Sequence, residues 1–218
     1  MQKIKKGLLN MNKNQKYSYP EKIIVSNIYP EADNTIRYFL QLKTPLQSES
    51  SATVIMMNPH NASRENSDPT INKVCSFFRD NNQFQYGVIN ILNLFPFYEP
   101  NSHLLVHEIE NNTKSFEKTM KSNFKKINEI IRLSDTIVLA WGNVPKNKFS
   151  KELHDKAVLS VSNILKKHKK EDCLYLFKYK NISSLTTKGN PGHPSRKSIE
   201  DLLKVRDIKI TTKSRFII

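Results

Sequence analysis

Three apolar runs that do not alternate with polar residues decide what this chain can become. They are Ala52-Thr53-Val54-Ile55-Met56-Met57, Gly87-Val88-Ile89-Asn90-Ile91-Leu92-Asn93-Leu94 and Asp135-Thr136-Ile137-Val138-Leu139-Ala140-Trp141. Short runs rich in β-branched residues, without a polar residue at every second position, describe strands buried on both faces. Each run stops abruptly, at Asn58-Pro59, at Phe95-Pro96 and at Gly142. A proline removes a backbone donor and so ends a ladder.

A strand covered on both faces requires helices above and below it, and the intervening segments have the period to supply them. Asp68 or Thr70 caps a helix running to about Asn82, with Ile71, Val74, Cys75 and Phe78 on one side. A second helix is expected over 115–132 on Phe116, Met120, Phe124, Ile127 and Ile131, and a third from Lys151 to Lys167. A fourth strand at Cys173–Lys178 and a last helix from Ser195 to Val205 complete the reading. Upstream, Ile23–Val25 and Thr35–Leu42 read as strands around the turn Pro30–Asn34. The expected architecture is a three-layer α/β domain over 52–218 with a central, largely parallel sheet. A β extension over 17–51 and a basic arm over 1–16 precede it.

Charge narrows the choice of partner. The chain carries 35 Lys and Arg against 20 Asp and Glu, a formal net charge of +15. Residues 151–218 alone hold 16 basic and 7 acidic side chains, a net +9. Such a distribution fits a polyphosphate, and DNA is the expected partner. A membrane surface fits less well, because the basic runs lack a large apolar face. No apolar stretch is long enough to span a bilayer. Two cysteines, Cys75 and Cys173, make neither a disulfide framework nor a four-cysteine metal site, so a reducing, cytoplasmic setting is expected. The histidines show no ligand spacing with carboxylates or cysteines. No metal, no cofactor and no obligate protein partner is expected.

In open α/β sheets, function gathers at the carboxyl ends of the strands. Three segments placed after expected strands carry unusual polar residues there. They are Met56-Met57-Asn58-Pro59-His60, Ile91-Leu92-Asn93-Leu94-Phe95-Pro96-Phe97 and Gly189-Asn190-Pro191-Gly192-His193-Pro194-Ser195-Arg196. Read without further context, each has a plain alternative as a turn, a strand edge or a helix cap. Asn90 competes with Asn93, and a plain N-cap competes with a site role for Asp68.

In their order and placement, these motifs resemble the uracil-DNA glycosylase superfamily, in its single-strand-selective and thymine-mismatch branches. Asn58-Pro59, Asp68-Pro69-Thr70, Asn93-Leu94-Phe95, Trp141-Gly142 and His193-Pro194 are also similar to the markers of an uncharacterised bacterial and phage domain family. The resemblance spans about residues 52–205. It implies a monofunctional DNA glycosylase that extrudes a damaged or modified base and hydrolyses its N-glycosidic bond. Catalysis would fall to Asn58, which positions water, and to His193, which donates to the base oxygen. Asn93 would read the base edge, with Pro59, His60, Asp68, Phe78 and Phe95 around it. Ser195, Arg196 and Lys197 would contact DNA, Ser195 at a helix N-terminus. Two departures stand out. The family commonly places a stacking aromatic about a dozen residues past the first motif, where this chain has Ile71, with Phe77 and Phe78 the nearest aromatics. His60 stands where related branches often carry glycine. Both point toward a modified or bulkier base and toward attack on modified phage DNA. A small-molecule nucleotide N-glycoside hydrolase and a non-catalytic nucleic-acid-binding module are the alternatives.

Overall fold

The computed structural model describes residues 16–31, 33, 35–98, 113–144, 151–195, 197–210 and 214–218. Almost all of the expected basic arm, and Arg196, lie outside the described residues. Nine strands and three α-helices are present among them. They run β1 (Ile24–Tyr29), β2 (Phe39–Lys43), β3 (Ser51–Met56), α1 (Pro69–Asp80), β4 (Val88–Asn93), α2 (Thr113–Leu133), β5 (Thr136–Leu139), α3 (Lys151–Lys167), β6 (Leu174–Tyr179), β7 (Ile199–Lys204), β8 (Asp207–Ile210) and β9 (Ser214–Ile217).

The first seven strands form one sheet in the order β1-β2-β4-β3-β5-β6-β7, and β8 pairs with β9 in a separate hairpin. The expected largely parallel sheet is in fact mixed. Its four inner strands, β4-β3-β5-β6, run parallel, while β1, β2 and β7 add antiparallel ladders at the flanks. The three apolar runs become β3, β4 and β5. Every residue of β3 and β5 is buried, as their lack of alternation requires.

Ser195–Val205 is a correction. The segment expected to be a helix holds β7, paired with β6 from Tyr175↔Lys204 to Tyr179↔Ile199. Its sequence, IEDLLK, has good helix formers, but the open edge of β6 offers a row of backbone partners. Tertiary pairing outweighs local preference in such short segments. Ser195 therefore has no helix behind it, and the expected phosphate contact at a helix N-terminus is withdrawn.

The path through the sheet positions the site. From β3 the chain crosses through α1 to β4 on one side, then passes back through α2 to β5 and through α3 to β6 on the other. Opposite directions of travel put the crossover helices on opposite faces. Accordingly α1 packs Ile71, Val74, Cys75 and Phe78 against Val54, Ile89, Ile91 and Phe177 on one face. Residues of α2, α3 and the hairpin cover Ile55, Leu92, Leu139 and Leu176 on the other. The reversal of direction beside β3 marks the carboxyl end of that strand as the place where open α/β sheets bind ligands.

Candidate functional site

Asn58 lies at that end of the sheet, two residues beyond β3. Leu94 N–H donates to the Met56 carbonyl and Phe95 N–H to the Met57 carbonyl, so the ladder between β3 and β4 continues to the site. Asn58 is half-buried and its Nδ2 donates to the Pro59 carbonyl at 3.2 Å. Pro59 is buried and His60 is exposed.

His193 reaches the same end of the sheet from the long loop after β6. Gly142, just past β5, donates its N–H to the Pro191 carbonyl at 2.8 Å. It holds φ at +76°, and an added Cβ would lie 3.0 Å from His193 Cβ. Glycine is required on both counts, one conformational and one steric. The loop is braced elsewhere. Asn143 Oδ1 accepts from Thr186 Oγ1 at 2.7 Å and Asn190 Nδ2 at 3.0 Å, and Tyr179 Oη donates to the Gly192 carbonyl at 2.7 Å. Because β5 is the parallel neighbour of β3, this backbone pairing brings the His193 loop to the same end of the sheet as Asn58.

The protonation state of His193 follows from its surroundings. Its Nδ1 accepts a hydrogen bond from the Ser195 N–H at 3.2 Å. An accepting Nδ1 leaves the proton of the neutral ring on Nε2. Burial pushes the imidazole pKa down to about 4, opposed by Asp68 and reinforced by Lys197 and Lys73. At neutral pH, His193 is an uncharged donor through Nε2.

Asp68 is buried at the start of α1, where its Oδ1 accepts from Thr70 N–H at 2.8 Å and Ile71 N–H at 2.9 Å. It is the helix cap, and it also acts electrostatically on His193. Lys73, one turn on, donates through Nζ to the Pro194 and Ser195 carbonyls, each at 3.0 Å. Lys197 Nζ stands 4.4 Å above the centre of the Tyr179 ring. Ser195 is exposed.

Asn93 ends β4 and is fully buried. Its Oδ1 accepts from Arg37 Nη2 at 3.3 Å, while its Nδ2 has no hydrogen-bond partner among the described residues. In this conformation Asn93 meets no solvent, so a ligand reaches its amide only by displacing its cover. Asn90 faces a different cluster, accepting from Gln41 Nε2 and donating to Thr53 Oγ1. Phe78 is sealed in an aromatic group with Phe77, Phe84, Tyr86 and Phe177. Phe95 is packed in the core on the α2 side. Neither presents an open ring face. Trp141 packs edge-on against Phe216 with ring centres 5.5 Å apart.

Two residues of this region were not singled out from the sequence. Arg37 is 1% exposed, donates Nη1 to the Ala62 carbonyl at 2.8 Å and lies 5.5 Å from the centre of the Tyr98 ring. It forms no salt bridge among the described residues. Its one visible signal is that it interrupts the otherwise apolar Ile36–Leu40 run. Lys73 gave none, since a lysine on a helix is normally a solvated one. Among the described residues no three His, Cys, Asp or Glu side chains converge as metal ligands, and no helix is long and apolar enough to cross a membrane.

A family described as "Protein of unknown function (DUF1643)" matches residues 37–195. Its span runs from the buried Arg37 to Ser195, covering each of the three strand-end motifs up to Arg196. The chain belongs to this family. No curated protein and no solved structure matches it.

Proposed function

We propose that this member of the DUF1643 family is a DNA glycosylase that hydrolyses the N-glycosidic bond of an extruded damaged or modified base. The observation that carries the reading is His193: a neutral imidazole with its Nε2 proton fixed, on a loop that pairs just past β5, the parallel neighbour of the strand that leads to Asn58. Breaking the bond between C1′ of the sugar and the base nitrogen leaves the electron pair on the base. A donor fixed before the reaction stabilises that charge as it forms, without reorganisation. In this reading Nε2–H of His193 donates to a base oxygen. Asn58 holds a water against C1′; the water's oxygen forms the new bond and keeps one proton as the C1′ hydroxyl, while its other proton passes through solvent to the departing base. The products are free base and an abasic site. Extrusion is needed because a base stacked in a duplex cannot meet His193 and Asn58. Asn93 serves as base reader once its cover is displaced. DNA carrying modified bases, including phage DNA, is the proposed substrate, and the uracil-DNA glycosylase resemblance supports the same chemistry.

The test uses the full chain in EDTA with DNAs containing uracil, hydroxymethylated or glucosylated bases, or none, scoring abasic sites by alkaline cleavage. Abasic sites on one modified DNA, reduced about 10²- to 10³-fold in His193→Ala, are the expected result. Base release should hold level from pH 8 to pH 5, because the donor is already neutral there. The absence of release from every DNA would overturn the reading. Release that rises toward acid with a midpoint near the ordinary histidine value would overturn the role of a neutral His193.

A further inference from the structure

We propose that Lys73 and Lys197 form a two-cation clamp for a phosphate ester beside His193, which in the glycosylase reading is a phosphodiester next to the extruded nucleotide. The inference rests on that reading for the source of the phosphate but not for the clamp itself. Two ammonium groups from different elements meet on one loop. Lys73 comes from α1 and spends two of its three protons on the Pro194 and Ser195 carbonyls. Lys197 folds back within the turn that its own N–H closes on the Pro194 carbonyl at 3.3 Å, and lies over Tyr179. Neither forms a salt bridge among the described residues, and both are half-buried.

The local packing keeps both charges in place. A Cβ at Gly192 would meet the Tyr179 ring at 2.8 Å and Lys197 Nζ at 2.9 Å, so the loop is shaped to the lysine. Burial lowers the pKa of each ammonium, which is the signature of charge held without enough water or counter-ion. Among the described residues Asp68 is the single acidic group acting on His193, against both lysines, and its Oδ1 is already committed to the helix cap. The surroundings of His193 are therefore net positive, and the exposed Ser195 lies on the same loop. A phosphate ester supplies the missing charge and accepts from several donors at once. Its source is either a polynucleotide or a free nucleotide. The net charge of +15 extends the attraction well beyond one phosphate and favours the polynucleotide.

The clamp is tested by the salt dependence of binding to an unmodified single-stranded oligodeoxynucleotide and to its duplex. Lys197→Met keeps the apolar stem on Tyr179, and Lys73→Gln keeps a donor for the loop carbonyls. Each variant should lower the slope of log affinity against log salt, and the double variant should lower it by about the one contact that a single phosphodiester contributes. An unaltered His193 imidazole nitrogen spectrum shows that the loop is intact. If it is altered, Lys73→Arg, which keeps both charge and donors, must restore the slope. Unchanged slopes in folded variants overturn the clamp even where base release stands. Reduced slopes without base release from any DNA uphold the clamp and remove the glycosylase. A deoxynucleoside 5′-monophosphate that competes as well as the oligonucleotide assigns the clamp to free nucleotides and overturns its polynucleotide source.

Discussion

Two buried polar clusters lie within one sheet, and they are built on opposite plans. The first crosses the sheet on the α2 side. Ser26 Oγ donates to Gln41 Oε1, Gln41 Nε2 to Asn90 Oδ1 and Asn90 Nδ2 to Thr53 Oγ1, and Thr53 shares a hydrogen bond with Ser134. None of its buried side-chain atoms lacks a partner. The second lies at the carboxyl ends of the strands. There, among the described residues, Arg37 brings a buried charge with no salt bridge, Arg37 Nε and Asn93 Nδ2 are unpartnered, and Lys73 and Lys197 lack salt bridges. A complete network locks a fold, whereas an incomplete one carries a cost that only an occupant or a reaction can offset. Of these two clusters, the complete one belongs to the scaffold and the incomplete one lies with the candidate site.

The largest effect that sharpens this contrast belongs to the scaffold. Ile127 on α2 is fully buried against the face opposite α1. Ile127→Ala should cost about 2–5 kcal/mol of stability by leaving a cavity. The oligonucleotide salt slope of the remaining folded protein should not change, as read by denaturant melts and binding titrations. A change in slope would mean that the two faces are not independent.

A smaller effect compares two asparagines three residues apart on β4. Asn90→Leu takes the acceptor from Gln41 Nε2 and one of two side-chain partners from Thr53, and should cost about 1–3 kcal/mol. Asn93→Leu takes an acceptor from the buried Arg37 guanidinium and should cost a similar amount. The two should part in base release, which Asn93→Leu abolishes and Asn90→Leu leaves intact in the folded protein. Equal losses of base release per folded molecule would erase the distinction between the clusters.

The elements readable from the sequence were those whose burial left a linear trace. β3, β4 and β5 appear as unbroken apolar runs, and α1 as Ile71, Val74, Cys75 and Phe78 on one stripe behind the Asp68 cap. β7 left no such trace, because its strand character comes from the edge of β6 rather than from its own residues. For the same reason the mixed sheet was not foreseen. At the site, Asn58 and His193 were visible as polar residues following strands. Phe78 and Phe95 were read as lining for a base, yet an aromatic in a helix or strand end has the same pattern whether it faces a cleft or a core. Arg37 and Lys73 stayed hidden because their importance lies in what they lack. A missing counter-charge is a property of three dimensions.

The central claim is that His193 stands ready as a neutral donor, and nitrogen NMR of the imidazole across a pH titration tests it without any substrate. The account predicts a neutral ring protonated at Nε2 through pH 5, with a midpoint near 4, because burial and the two lysines outweigh Asp68. A midpoint near the ordinary value of about 6.5, or a neutral ring protonated at Nδ1, would contradict it.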